Sequence, residues 1–162
     1  MKTPLLIAGI SFLSALSLVA ESNVVLTGVH NCCKKCDTGI GEAVAKVEGA
    51  SVKTDKGKVT ISAKDEATAK LAAESLVKNG YFGVGAVAPA VVDRKVKSIT
   101  VNGLHLCCGK CVTAAEEAVL SVAGVTGHTA TKGATSFKVD GDFSTQALSD
   151  ALHKAGLHGD LK

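Results

Sequence analysis

Apolar and polar positions in the first half of the chain change period several times, and each change predicts an element. Residues 23–29 alternate as a half-buried strand does, whereas Ile40, Val44 and Val47 recur at the spacing of one helix face. A turn containing Gly57 is typical of a hairpin, because glycine supplies the positive φ angle such turns need. The predicted elements are strands at 23–29, 51–54, 58–63 and 81–87, with helices at 35–47 and 65–78.

The second half repeats this order. Its predicted elements are strands at 98–103, 125–131, 134–139 and 157–161, with helices at 110–123 and 144–155. Strand, helix, strand, strand, helix, strand is the order that packs two helices on one face of a four-stranded antiparallel sheet. The sequence therefore predicts an α+β protein of two tandem ferredoxin-like (βαββαβ) domains after a signal peptide, at residues 21–88 and 98–162, with a linker at 89–97.

Each half has only about 65–70 residues, which is near the lower limit for one stable apolar core. Alanine and valine are abundant and aromatic residues make up 3% of the chain. We therefore expect two small cores, one in each half.

Residues 1–20 have the parts of a secretory signal peptide: a charge at Lys2, an apolar run from Leu5 to Leu18, and the small residue Ala20. A cut after Ala20 and a cut after Ser22 both fit this pattern. We expect export to the periplasm or the extracellular space, and no later segment is apolar for long enough to span a membrane.

Charge and composition exclude several function classes. Removing Lys2 with the signal peptide leaves 17 of the 18 basic residues against 15 acidic ones, a formal charge of +2. Scattered lysines and the absence of Trp give no platform for nucleic acid. No triad, nucleophile elbow or phosphate-binding loop is present, so a binding module is favoured over an enzyme.

All six cysteines lie in two copies of one motif, His-X-Cys-Cys-X-X-Cys, which are 75 residues apart. Each copy contains a CxxC pair at the point where a strand gives way to a helix. The free amides and positive end of a helix N-terminus favour the thiolate, which is the form that binds thiophilic metals such as Cu(I) and Zn(II). The candidate ligands are Cys32, Cys33, Cys36, Cys107, Cys108 and Cys111, followed by His30 and His105.

The motif and its surroundings resemble the heavy-metal-associated domain. The resemblance rests on Gly28-Val29-His30 before Cys33 and Cys36, on Val47-Glu48-Gly49, and on Asn79-Gly80-Tyr81. It implies a ferredoxin-like fold, one soft metal ion held by the CxxC pair, and transfer to a copper transporter or cuproenzyme by thiolate exchange. It also implies that Tyr81 lies near the metal loop and supports it without binding the metal.

The chain departs from the family pattern in both copies. The loop is one residue longer, Val29 or Leu104 replaces a methionine, and an extra cysteine, Cys32 or Cys107, precedes the pair. Leu157 takes the place of Tyr81 in the second half, so the two sites can differ.

Several metal states are open to these ligands. A Cys₃His set closes a tetrahedron around Zn(II), Hg(II) is a further candidate, and Cu(I) is favoured. Because neighbouring residues of an extended loop point in different directions, Cys32 can turn away from the CxxC pair to bridge a second metal or a second molecule in a metal-bridged dimer. A small thiolate-bridged copper cluster is the resulting hypothesis.

Two other interpretations use the same thiols. Exported proteins often contain structural disulfides, but these cysteines lie too close together in sequence to connect distant segments. A thiol–disulfide redox protein is the stronger alternative, since CxxC at a helix start is typical of thioredoxin-like enzymes. The remaining histidines, at 128, 153 and 158, are expected at the surface.

Overall fold

The computed structural model describes residues 21–162, which form four helices and two antiparallel sheets. The predicted α+β class is confirmed, while the predicted signal peptide at 1–20 lies outside the described residues. The helices are α1 (Lys34–Ala45), α2 (Glu66–Lys78), α3 (Gly109–Leu120) and α4 (Thr145–Lys154). The strands are β1 (Ser22–Thr27), β2 (Ala50–Asp55), β3 (Lys58–Ala63), β4 (Lys95–Asn102), β5 (Val125–His128), β6 (Ser136–Ser144) and β7 (Asp160–Leu161).

The second half, residues 95–162, has the strand order β5-β6-β4-β7, which is the split βαβ arrangement. In the first half, residues 22–88, the order is β1-β3-β2. There Leu26 and Val59 pair across β1 and β3, and both are buried under α1 and α2. Strand alternation and helix periodicity therefore place the core between each sheet and its helices.

The fourth strand of the first half, predicted at 81–87, does not form. Only two isolated bridges occur there, Thr27 with Val84 and Tyr81 with Leu157. Gly85 has a φ angle of 103°, and the N–H of Ala86 donates to the carbonyl of Gly83 in a turn, so the segment leaves β1 after one bridge.

Two further boundaries differ from the prediction. β4 begins at Lys95, inside the predicted linker at 89–97, and β7 is shorter than the predicted strand at 157–161. Because nothing in the structure tests whether each half folds alone, the domain bounds stay a prediction.

Side-chain caps explain where two of the four described helices begin. Asp65 accepts the N–H of Thr68 at the start of α2, and Ser144 accepts the N–H of Ala147 at the start of α4. At α1 the N-cap residue is Cys33, in an extended conformation and without a side-chain cap hydrogen bond. Its sulfur is thus free for other partners.

The buried apolar residues form one continuous cluster through both halves, so the expectation of two separate cores is wrong. The joining residues belong to the motif loops and to the segments after α2 and α4. Val29, Leu104, Leu106, Tyr81 and Leu157 are each at most 4% exposed. The cores merge because these loops face each other instead of facing solvent.

Two glycines allow this close approach. The carbonyl of Gly156 accepts from the N–H groups of His30 and Phe82, both at 3.1 Å, and the carbonyl of Gly80 accepts from His158 N–H at 3.0 Å. Both glycines have positive φ angles. A Cβ on Gly80 would lie 2.6 Å from the carbonyl oxygen of Gly103, so only glycine fits between the two backbones.

Among the described residues, 21–162, no helix is both long and apolar enough to cross a lipid bilayer.

Two glycines of α1 provide a matched pair of substitutions. Gly41→Ala should raise the free energy of unfolding by about 0.5–1 kcal/mol, because nothing lies within 4 Å of the new methyl group and alanine favours the helix. Gly39→Ala should lower it by about 1–2 kcal/mol, because its Cβ would collide with the Tyr81 hydroxyl and press on His105. Chemical denaturation of the reduced, metal-free protein measures both. Equal effects of the two substitutions would contradict the observed packing of Tyr81 on α1.

Candidate metal centre

The two cysteine motifs face each other across the junction of the halves, and their six sulfur atoms form one group. The expectation of a separate thiol site in each half is therefore wrong. All six thiols are free; Cys36 and Cys111 are fully buried, and the others are partly exposed. The main-chain contacts of Gly80 and Gly156 bring the motifs together.

Within each half the sulfurs lie about as far apart as two ligands of one metal ion. Cys36 Sγ is 3.8 Å from the sulfurs of both Cys32 and Cys33. Cys111 Sγ is 3.7 Å from Cys107 Sγ and 3.6 Å from Cys108 Sγ.

Contacts between the halves are equally short. Cys32 Sγ lies 3.5 Å from Cys108 Sγ and 3.7 Å from Cys111 Sγ. Cys107 Sγ lies 3.8 Å from Cys33 Sγ and 3.7 Å from Cys36 Sγ. The buried sulfurs of Cys36 and Cys111 are 3.9 Å apart at the centre. Cys32 therefore does not turn away from its CxxC pair; it faces that pair and the opposite one together.

Hydrogen bonds hold the loop before Cys33 in place. The N–H of Val29 donates to the carbonyl of Gly57 at 2.9 Å. Asp37, in the first turn of α1, accepts hydrogen bonds from the Asn31 amide at 2.8 Å and the Thr54 hydroxyl at 2.6 Å. These bonds hold the pKa of Asp37 below its usual range. The motif is thus joined to β2 and to the β2–β3 turn.

The first thiol of each CxxC pair has a lowered pKa. Stabilisation of the thiolate by the backbone N–H of Cys111 lowers the pKa of Cys108 to about 6. The backbone N–H of Cys36 likewise lowers the pKa of Cys33. Both cysteines occupy N-cap positions, where helix amides are free.

Burial has the opposite effect on three further thiols. It raises the pKa of Cys107 to about 12, and it also raises the pKa values of Cys32 and Cys111. Nearby sulfurs add to this increase, because one thiolate disfavours the next. Positive charge at the site would offset both the cost of burying a thiolate and the repulsion between neighbouring thiolates.

The two motif histidines are placed differently. His30 lies with Cys32 and Cys111 in a group whose donor atoms are all within 4.8 Å of one another. The His105 ring instead packs on Tyr81, with centroids 4.9 Å apart. The Nε2 atoms of both rings are buried without a hydrogen-bond partner, and burial lowers the pKa of each imidazole. A neutral imidazole is the form that binds metals.

Tyr81 lies directly behind the thiols. It is 2% exposed, and its hydroxyl donates to the carbonyl of Cys36 at 3.3 Å. Burial, and then the nearby cysteines, raise the pKa of this phenol, so the hydroxyl stays protonated. This hydrogen bond holds the backbone of Cys36, the second cysteine of the CxxC pair, from the side of the core.

Within residues 21–162, three of the four possible metal-binding groups combine residues from both halves. They are His30, Cys32 and Cys111; Cys32, Cys33 and Cys108; and Cys33, Cys36 and Cys107. The fourth, Cys107, Cys108 and Cys111, lies within the second half. Because sulfur predominates among the donors, the group fits soft ions such as Cu(I), Zn(II) or Hg(II), and it does not fit Mg²⁺ or Ca²⁺.

A row of rings at the same junction corrects the expectation that His158 lies at the surface; His153, in the same row, is partly exposed. Phe82 stacks on His153 at 3.8 Å between centroids, and His153 Nε2 is 2.9 Å from His158 Nδ1. His158 is only 6% exposed. No sequence pattern predicts this row, because Phe82 and His153 meet only where the two halves contact each other.

No protein-family model and no curated protein matches the chain. Solved structures similar to this chain include two from Bacillus subtilis. The N-terminal soluble domains of Bacillus subtilis CopA share 19% identity, with 90% of this chain and 96% of that chain covered and a TM-score of 0.34. The water-soluble region of the P-type ATPase CopA from Bacillus subtilis shares 16%, with 90% and 93% covered and a TM-score of 0.33. We draw no functional conclusion from likeness at these TM-scores.

Alkylation of the reduced, metal-free protein should separate the thiols. The rate at Cys108 should rise roughly tenfold per pH unit below its pKa and level off above about pH 7, because the thiolate reacts and the thiol does not. Cys111 should stay slow throughout this range, since burial raises its pKa. Pulsed iodoacetamide labelling with peptide mass spectrometry measures both rates. A Cys108 midpoint near 8.5, the value of a free cysteine, would show that the helix amides do not stabilise its thiolate.

Proposed function

We propose that this chain is an exported soft-metal-binding protein that sequesters or transfers Cu(I) by thiolate ligand exchange. The observation that carries the proposal is the single group of six free, mutually contacting thiols at two helix N-termini. In this proposal the two halves are tandem domains, and His30 is an additional ligand.

Copper is favoured over zinc by the ligand chemistry. Zn(II) in structural sites takes four ligands in a closed tetrahedron, whereas thiolates favour Cu(I) over harder ions. The contacts in this centre are almost entirely between sulfurs, and His105 lies against Tyr81 instead of among the thiols. An ion satisfied by sulfur alone suits this arrangement best.

The exposure of the thiols supports transfer as well as storage. Cys33 and Cys108 lie at the accessible rim, and the buried Cys36 and Cys111 lie below them. An incoming thiolate of a partner protein can approach the rim thiols first. Lys34, Lys35 and Lys110 are exposed beside this rim, where they favour an acidic partner such as the metal-receiving surface of a transporter or cuproenzyme.

A thiol–disulfide redox protein is the second candidate. It is favoured by the low pKa of Cys108 and by the buried Cys111 after it, which is the arrangement of an attacking and a resolving thiol. Against it, the sulfurs of four other cysteines crowd the same pair, and many mixed disulfides would compete.

Copper competition tests the main proposal. We expect the reduced protein to take Cu(I) from a bicinchoninate complex under anaerobic conditions. The double variant Cys36→Ser/Cys111→Ser should lose this competition by at least about tenfold, because it removes both central sulfurs. Gly41→Ala, on the same helix as Cys36, is the folded control and should bind as the unmodified protein does.

The same preparations separate the two candidates. Catalytic reduction of a model disulfide without Cu(I) uptake would establish the redox protein and remove the metal proposal. Parallel titrations with Zn(II) and Hg(II) identify the preferred ion.

Export is tested by expressing the full chain in a bacterial host. We expect the protein in the periplasmic fraction or the medium, with a mass that corresponds to a cut after Ala20 or Ser22. An uncut chain confined to the cytoplasm would contradict export without affecting the metal proposal.

A further inference from the structure

We infer that the third thiol of each motif serves the CxxC pair of the opposite half, so that all six thiolates hold one polynuclear Cu(I) cluster in place of one ion per pair. This inference rests on the proposed function. It adds the number of metals, the assignment of ligands, and the reason for the extra cysteines Cys32 and Cys107.

The distances show a reciprocal exchange of ligands. Cys107 lies 3.8 Å and 3.7 Å from the sulfurs of Cys33 and Cys36, the pair of the first half. Cys32 lies 3.5 Å and 3.7 Å from those of Cys108 and Cys111, the pair of the second half. Each pair thus has a third sulfur from across the junction.

These separations are those of sulfurs that share a metal. A metal–thiolate bond of about 2.3 Å places two sulfurs on one ion about 3.7–4.0 Å apart, for tetrahedral or trigonal angles. The sulfur–sulfur contacts at the centre run from 3.5 Å to 3.9 Å. The cluster can therefore form with little movement of the backbone.

The contact of Cys36 with Cys111 turns two three-sulfur sites into one. Each of these sulfurs also contacts both other cysteines of its own motif and an extra cysteine from across the junction. A sulfur with neighbours on several sides is placed to bridge two ions. If each of the six thiolates bridges two three-coordinate ions, the cluster holds about four Cu(I).

Charge and protons balance in this assignment. The cysteines that are still protonated lose their protons to solvent as the copper enters, so that all six become thiolates, and no electron is transferred because copper stays Cu(I). Six thiolates and four Cu(I) leave a charge of about −2 on the cluster. The N-termini of α1 and α3 lie at the thiols, and the exposed Lys34, Lys35 and Lys110 follow Cys33 and Cys108 in the chain, so positive potential is available to offset that charge.

A bridged cluster should fill cooperatively, because the first ion draws both halves' thiolates into position for the next. Native mass spectrometry of the full mature protein, titrated anaerobically with Cu(I), measures this directly. We expect to observe the metal-free chain and one species with about four Cu(I), both monomeric. Species with one, two or three Cu(I) should be scarce. A copper–copper scattering path in the X-ray absorption spectrum of the unmodified protein gives an independent readout.

The outcomes distinguish the inference from the function on which it rests. Stepwise filling to two Cu(I), without copper–copper scattering, would overturn the cluster and leave the metal-binding function intact. Copper held only between two chains would also overturn it. Absence of Cu(I) binding would remove both.

Single variants test the exchange of ligands between halves. Cys107→Ser should increase alkylation of Cys33 and Cys36 in the copper-loaded protein by at least about tenfold, more than at Cys108 and Cys111. Cys32→Ser should give the mirror result, because its sulfur contacts the second-half pair. Both cysteines are only partly buried, and circular dichroism checks that each variant folds. Increased alkylation confined to the motif that carries the substitution would overturn the exchange.

Discussion

The close approach of two backbones at Gly80 and Gly156 is the constraint on which the metal centre depends. Each glycine places its carbonyl against the N–H groups of the other half, and each has a positive φ angle. A larger residue at Gly80 would meet the backbone of residues 103–105. Without these contacts the two motif loops would face solvent, and the six sulfurs would separate into two groups of three.

Much of the fold follows from local sequence. Helical spacing of Ile40 and Val44 and the turn at Gly57 predict α1 and the β2–β3 hairpin close to their observed positions, and the helix predicted at 65–78 is α2. The strand predicted at 81–87 does not form. Its apolar residues suit a strand, but Gly83 and Gly85 turn the chain away from β1. Alternation alone carries no information on such a turn.

The candidate metal centre could also be predicted only in part from the sequence. The duplicated motif identifies every cysteine of the centre, since residue type and spacing can be seen in the sequence. What the sequence could not show is that Cys32 lies beside Cys108 and Cys111, because that contact depends on the docking of two halves more than 70 residues apart. His30 and His105 occupy equivalent sequence positions yet have different neighbours, because Tyr81 has no aromatic counterpart at Leu157.

The segment between the halves, residues 89–94, is six residues long and connects two bodies that already share one core. Two motifs on separate chains would meet at a rate set by protein concentration, and their shared centre would come apart on dilution. Here a short tether holds the opposite motif at an effective concentration on the order of millimolar or higher. The geometry of the thiol group is therefore independent of how much protein is present.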